Sequence, residues 1–260
     1  MPVKPLHPHV AFLVALASLA GAVPLPAAEA QPVEVYAASA VAGALEEIAA
    51  VFQKKTGTPV HVTSGGSLAL SRQIVQGAPA DIFIPEGAGV LVPLLRVAKV
   101  NEQSSHLFAT NTLVVVARAG RARPPATPEE IAGERFRRIS IADPDAIPAG
   151  IQAKRSLMSL HLWERLDARI RISPDVKKAL ASVESGEADL GIAYVTDARA
   201  SEGLAVVLSL PGTSHAPIQY IAALVARSGA SLAVRPFLEF LRGPEARKAL
   251  VDAGLTPAFP

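Results

Sequence analysis

Apolar residues recur along this chain in two alternating rhythms. Short dense runs such as VEVYAA, from Val33 to Ala38, and ADIFI, from Ala80 to Ile84, read as buried strands. Between them the apolar positions return every three or four residues. In AVAGALEEIAAVFQKKTG, Val41, Leu45, Ile48 and Phe52 fall on one helical face, with Glu46, Glu47, Gln53, Lys54 and Lys55 mostly on the other, and Gly57 is placed to end the helix. PVHVTS then reads as a strand and SLALSRQIVQG as a helix. Strands and helices taking turns predict βαβ units and a largely parallel sheet.

The pattern restarts near Thr110. TLVVVAR and RISIADP read as strands, AGIQAKRSLMSL as a helix, PDVKKALASVESG as another, and LGIAYV as a strand; LAVVLSL and YIAALVA follow, before a helical stretch interrupted at Gly243 and Pro244. Two segments echo one another, VQGAPADIFI (Val75–Ile84) and VESGEADLGIAY (Val183–Tyr194). Each ends a helix on Gly, passes an Ala-Asp pair and enters a strand. The expected architecture is α/β with two lobes of similar build. Residues 31–109 and 221–260 form lobe 1 and residues 110–220 form lobe 2, so that the last helices rejoin the first lobe.

The first thirty residues follow neither rhythm. Lys4 precedes the apolar run VAFLVALASLAGAV, and Ala28 and Ala30 flank Glu29, the pattern of an export signal cleaved near Ala30. The run is short for a membrane span, which takes about 20 residues. The chain has no cysteine, which excludes disulfides, thiolate metal sites and a lipid-anchored cysteine, and fits a bacterial periplasm. Charge adds little: 25 basic residues nearly balance 23 acidic ones, and RFRR (Arg135–Arg138) reads as a solvated face, so no nucleic acid partner is expected.

In open parallel sheets ligands bind at the carboxyl ends of strands, where helix N-termini present free amides. Four such junctions carry small or capping residues: Ser39 after VEVYAA, Ser67 after PVHVTSGG, PAG at Pro148–Gly150, and SPDV at Ser173–Val176 with Pro174 as the first helical position. Taken singly, each serine reads as an N-cap. Tyr194 stands at the end of the apolar strand LGIAY, where its hydroxyl needs a partner, backbone or ligand. Ser67 has a rival reading, since GGSLA approaches the nucleophile elbow; Asp189 and His215 would complete a hydrolase order, but the last glycine of the elbow is Ala69. No GK[ST] follows the glycines, no histidines are spaced as metal ligands, and Asp143 with Asp145 reads as a turn.

The stretches VYAASAVAGALEEIAAVFQKKTG, RQIVQGAPADIFI, NTLVVVAR, IADPDAIPAGIQAKRSL, DVKKALASVESGEADLGIAYVTDA and FLEFLRGPEARKALVDAGL cover most of the mature chain in order. On them the sequence resembles the periplasmic molybdate-binding proteins of ABC transporters. The resemblance implies a periplasmic-binding-protein fold with the ligand cleft between two lobes. It also implies a receptor, not an enzyme, that needs no cofactor, acts as a monomer and delivers molybdate or tungstate to a membrane permease. The family's ligand positions fall on the hydroxyls and amides of Ser39 and Ser67, the amides of Ala149 and Val176, and the Tyr194 hydroxyl, with molybdenum held only as its oxyanion. Two departures from the family pattern, Leu68 and IPEGAG (Ile84–Gly89), fall on none of these positions.

Donors without acceptors favour a fully deprotonated dianion, and each charge-assisted hydrogen bond contributes roughly 1.5–3 kcal/mol. Phosphate, which keeps a proton at neutral pH, is expected to be rejected for want of an acceptor. Sulfate would be excluded by cavity size alone, so a receptor for another tetrahedral oxyanion is the main alternative within the class.

Overall fold

A computed structural model describes residue 1 and residues 31–121, 123–227 and 230–259. The expected export signal lies outside the described residues. Strands are β1 (Val33–Ala38), β2 (Val60–Gly65), β3 (Ile82–Ile84), β4 (His106–Thr110), β5 (Leu113–Arg118), β6 (Ile139–Ala142), β7 (Ile170–Ser173), β8 (Leu190–Tyr194), β9 (Leu204–Ser209), β10 (Gln219–Leu224) and β11 (Thr256–Pro257). Helices are α1 (Ser39–Thr56), α2 (Ser67–Val75), α3 (Val92–Arg96), α4 (Pro148–Ser159), α5 (Trp163–Leu166), α6 (Val176–Glu184), α7 (Val195–Arg199), α8 (Val234–Phe240) and α9 (Pro244–Asp252).

The strands form two sheets, ordered β11-β4-β10-β3-β1-β2 and β7-β6-β8-β5-β9. The chain leaves the first sheet after β4 and re-enters it at β10, so the first lobe draws on both ends of the described chain. In the first sheet β1, β2, β3 and β4 run one way, while β10 and β11 run against them; in the second, β5 alone opposes its neighbours. The reversed strands β5 and β10 are those that enter each lobe from the other one. Leu113, the first residue of β5, pairs with Tyr194, the last of β8, and Gln219 pairs with Thr110. A strand entering at the end where its neighbours finish can only be antiparallel to them, and periodicity alone does not report that.

Alternation along the strands divides the core. Val35, Ala37, Ile82 and Ile84 face α1 and α9 on one side of the first sheet, while Tyr36 and Phe83 meet Leu70 and Ile74 of α2 and Leu94 of α3 on the other. In the second sheet Val115 and Ala117 face the side of α4, and Val114 and Val116 face Leu180 and Val183 of α6. The predicted apolar face of α1 is inside: Val41, Leu45, Ile48 and Phe52 are all at most 2% exposed. Gly57 ends that helix in the left-handed conformation at φ 75°.

The two echoing segments build matching staples at the far ends of the sheets. Asp81, fully buried, accepts from the Glu34 amide at 2.9 Å and from Arg227 Nε and Nη2 at 2.6 and 3.0 Å. Asp189 accepts from the Arg137 and Arg138 amides at 2.8 and 3.0 Å and from Arg121 Nη2 at 3.3 Å. In each lobe, therefore, an aspartate just before a central strand holds backbone amides at or just before the start of its parallel neighbour. It also pairs with an arginine just past the reversed strand. Between the lobes Asn111 Nδ2 donates to Thr196 Oγ1 at 3.0 Å and to the Tyr220 hydroxyl at 3.1 Å, and Arg199 Nη1 donates to the carbonyls of Val251 and Asp252 at the end of α9.

Candidate functional site: an interlobe cleft

The carboxyl ends of β1 and β2 from one sheet and of β6, β7 and β8 from the other converge on a cleft of about 370 Å³. Ser39, Ser67, Ala149, Val176 and Tyr194 all line it, together with Ala38, Gly66, Glu86, Lys177 and Asp197. Helices α1 and α2 of one lobe and α4, α6 and α7 of the other begin at this cleft, and the first amides of a helix have no partner within it.

Neither serine is an N-cap. The cap positions are Ala38 and Gly66, both extended and without a side-chain capping bond, and Ser39 and Ser67 are the first residues of α1 and α2. Each therefore brings a free-end amide and a hydroxyl to the same place. A Cβ at Gly66 would meet nothing within 4 Å and its φ is −65°, so no packing or conformational demand of the protein fixes glycine there. Its effect is to leave the cleft floor open. Leu68, 52% exposed, faces solvent and does not line the cleft.

In the second lobe Pro148 occupies the first position of α4 and has no N–H, so the first amide available is that of Ala149. Gly150 follows because a Cβ there would overlap the carbonyl oxygens of Ala142 and Asp143 at the end of β6. Glycine thus lets α4 start hard against the strand, which sets where the Ala149 amide lies. At α6 the sequence reading needs correction. Pro174 is outside the helix, and Asp175 is the N-cap, accepting from the Lys178 amide at 2.7 Å. A cap side chain aimed at the third helical amide sets the start in place of Pro174, and Val176 becomes the first helical residue.

Tyr194 ends β8, 2% exposed, and its hydroxyl donates not to backbone but across the cleft to Glu86 Oε1 at 2.7 Å. Burial, then the Glu86 charge, pushes the phenol far above its ordinary pKa, so it stays a donor. Glu86 belongs to IPEGAG, the stretch that departs from the family pattern, and it does touch expected ligand positions. Besides Tyr194 it meets Ser67, whose Oγ accepts its backbone N–H at 3.0 Å. Burial also raises the Glu86 carboxyl, against the opposing Tyr194 hydrogen bond. Asp197 is pushed up to about 6 by burial, with a hydrogen bond to the Tyr194 backbone opposing it. The neutral donor set read from the sequence is therefore accompanied by carboxylates, and Lys177 is the one cation among the described lining residues. The contact of Glu86 with Tyr194 joins residues 108 apart in the chain, and the only sequence signal for it was the departure itself.

Asp197 makes stability pH-dependent. Its folded pKa lies above its unfolded value of 3.8, so the folded state holds the extra proton between about pH 4 and 6. Stability therefore falls as pH rises through that window. Between pH 5 and 7.5 the wild type is expected to lose roughly 1 kcal/mol more unfolding free energy than Asp197→Asn. Urea titrations at the two pH values check this, and parallel losses in both proteins would refute it.

The residues of the hydrolase alternative are engaged elsewhere. Asp189 serves its staple at the opposite end of β8 from Tyr194, and His215 Nδ1 lies 2.8 Å from the Ala216 carbonyl oxygen. Asp143 forms the expected turn, its Oδ1 accepting from the Asp145 amide at 2.9 Å. Among the described residues no group of three metal-ligating side chains occurs, and no helix is long and apolar enough to cross a membrane.

Two α/β lobes with opposed helix starts around an interlobe cleft define a solute-binding class. The chain belongs to the bacterial extracellular solute-binding proteins, whose family model matches residues 33–256. It is 34% identical over 228 residues to the molybdate-binding protein ModA of Escherichia coli (strain K12), covering 86% of this chain and 88% of that one. Among solved structures it is similar to the Azotobacter vinelandii periplasmic molybdate-binding protein, with a TM-score of 0.71 and 28% identity, covering 88% of this chain and 99% of that chain. An aconitate isomerase of a Pseudomonas species is also similar, 26% identical over 97% of this chain and 98% of its own.

Proposed function

We propose that this protein is the exported receptor of an ABC transporter, binding molybdate or tungstate between its lobes and handing it to a membrane permease. The carrying observation is that Ser39, Ser67, Ala149, Val176 and Tyr194, drawn from five separate junctions and both lobes, line one cleft. Two serine hydroxyls, four helix-start amides and a phenol supply donors on opposed walls, the arrangement a tetrahedral oxyanion needs. The similarity to molybdate-binding relatives over most of the chain supports the same reading.

At roughly 30 Å³ per water-sized group, four oxyanion oxygens fill about a third of the cleft. The lobes must therefore draw together to bring both donor sets onto one guest. The receptor works as a monomer, binds the anion without altering it, and is directed out of the cytoplasm by its first thirty residues. Calorimetric titration of the mature chain should give one-to-one binding of molybdate and of tungstate, with sulfate much weaker. Absence of heat with both metal oxyanions would refute the reading.

A further inference from the structure

Glu86 stands outside the expected ligand set yet is bonded to two members of it. Its amide is tied to Ser67 Oγ at 3.0 Å, which fixes the backbone of the loop beside α2, and its carboxylate accepts the Tyr194 O–H hydrogen bond at 2.7 Å from the opposite lobe. A tyrosine has a single O–H to give. A guest anion and the Glu86 carboxylate are both acceptors, so they compete for it. A fully deprotonated oxyanion that wins the hydroxyl leaves Glu86 without its donor and facing a second negative group. An oxyanion that keeps a proton meets a different cleft, because its own O–H can donate to Glu86 while its other oxygens take the helix amides.

We propose that Glu86 is a specificity-determining residue of the cleft: it withholds the Tyr194 hydroxyl from guests that only accept, and offers an acceptor to oxyanions that carry an O–H. The inference rests on the receptor reading above and revises one of its consequences. Phosphate was expected to fail for lack of an acceptor in the cleft, and Glu86 supplies one. The residue thus narrows the gap between molybdate and phosphate from both sides, weakening the first and admitting the second.

Calorimetric titrations of molybdate and of inorganic phosphate into the mature wild type, Glu86→Gln and Glu86→Ala at pH 7.5 test it. Glu86→Ala should bind molybdate about tenfold to a hundredfold more tightly, the range of one charge-assisted hydrogen bond regained, and Glu86→Gln, whose neutral amide oxygen still accepts from Tyr194 but competes less than a carboxylate, should gain less. Glu86→Ala, which has no acceptor, should bind phosphate more weakly than the wild type, with Glu86→Gln between the two. Placing Glu86→Ala in a Tyr194→Phe background should abolish the gain for molybdate, since no hydroxyl is left to release; a merely structural role for Glu86 would not produce that coupling. Wild type that binds molybdate while Glu86→Ala binds it equally or less tightly overturns this inference alone. Folded wild type and variants that bind neither anion overturn the receptor reading and this inference with it.

Discussion

A protein carrying Ser39→Ala and Ser67→Ala together is expected to bind molybdate roughly a hundredfold to ten-thousandfold more weakly than the wild type, from two charge-assisted hydrogen bonds at about 1.5–3 kcal/mol each. The loss comes from the guest, not the fold. Both residues are the first of their helices and neither makes a side-chain capping bond, so alanine, the best helix former, keeps α1 and α2 intact. The backbone amides also remain, which is why binding is weakened and not abolished. The single variants should differ. Ser67→Ala additionally releases the Glu86 amide from its 3.0 Å hydrogen bond and loosens the loop beside the cleft, whereas Ser39→Ala removes only a hydroxyl. Titration calorimetry with matched thermal melts gives both quantities, and a double variant within threefold of wild-type affinity would move the binding site elsewhere.

Asp81→Ala is expected to cost about 3–5 kcal/mol of stability, the range for removing one partner of a buried ion pair. Asp81 is fully buried and Arg227 is about three-quarters so, held by two hydrogen bonds in a fork. Truncation strands that guanidinium and also leaves the Glu34 amide, inside β1, without its 2.9 Å acceptor. Asp81→Asn should cost less, because the amide oxygen still accepts from Glu34 while the charge on Arg227 goes unanswered. Asp189→Ala should cost less as well, since its Arg121 contact is longer at 3.3 Å and its side chain is 22% exposed. Urea unfolding midpoints order the three variants; an Asp81→Ala midpoint equal to that of Asp189→Ala would show that burial does not set the penalty.

Much of the fold was legible because it is written locally. The face of α1, its stop at Gly57 and the strands VEVYAA and ADIFI need only nearest-neighbour periodicity. The two-lobe division needed the repeated Ala-Asp pair, and the structure gives that pair a shared task. What the sequence did not disclose depends on partners far along the chain. The reversal of β5 and β10 follows from where the chain crosses between sheets. Asp175 displaced Pro174 as the marker of a helix start because its carboxylate finds a specific amide. The serines read as caps because residue preference cannot distinguish the cap from the first helical position. The five expected ligand residues do line one cleft, but the acidic neighbours Glu86 and Asp197 become visible only once β8 and the loop after β3 face each other.

The staples bear on how the molecule can change over time. From Asp189 to Tyr194 is five residues of strand, or about 17 Å at roughly 3.3 Å per residue. Asp81 and Asp189 line no part of the cleft, so substitutions there leave the groups that face the anion in place. Thermal tolerance and ligand choice can drift independently in such a chain, and an engineer can raise one without retuning the other.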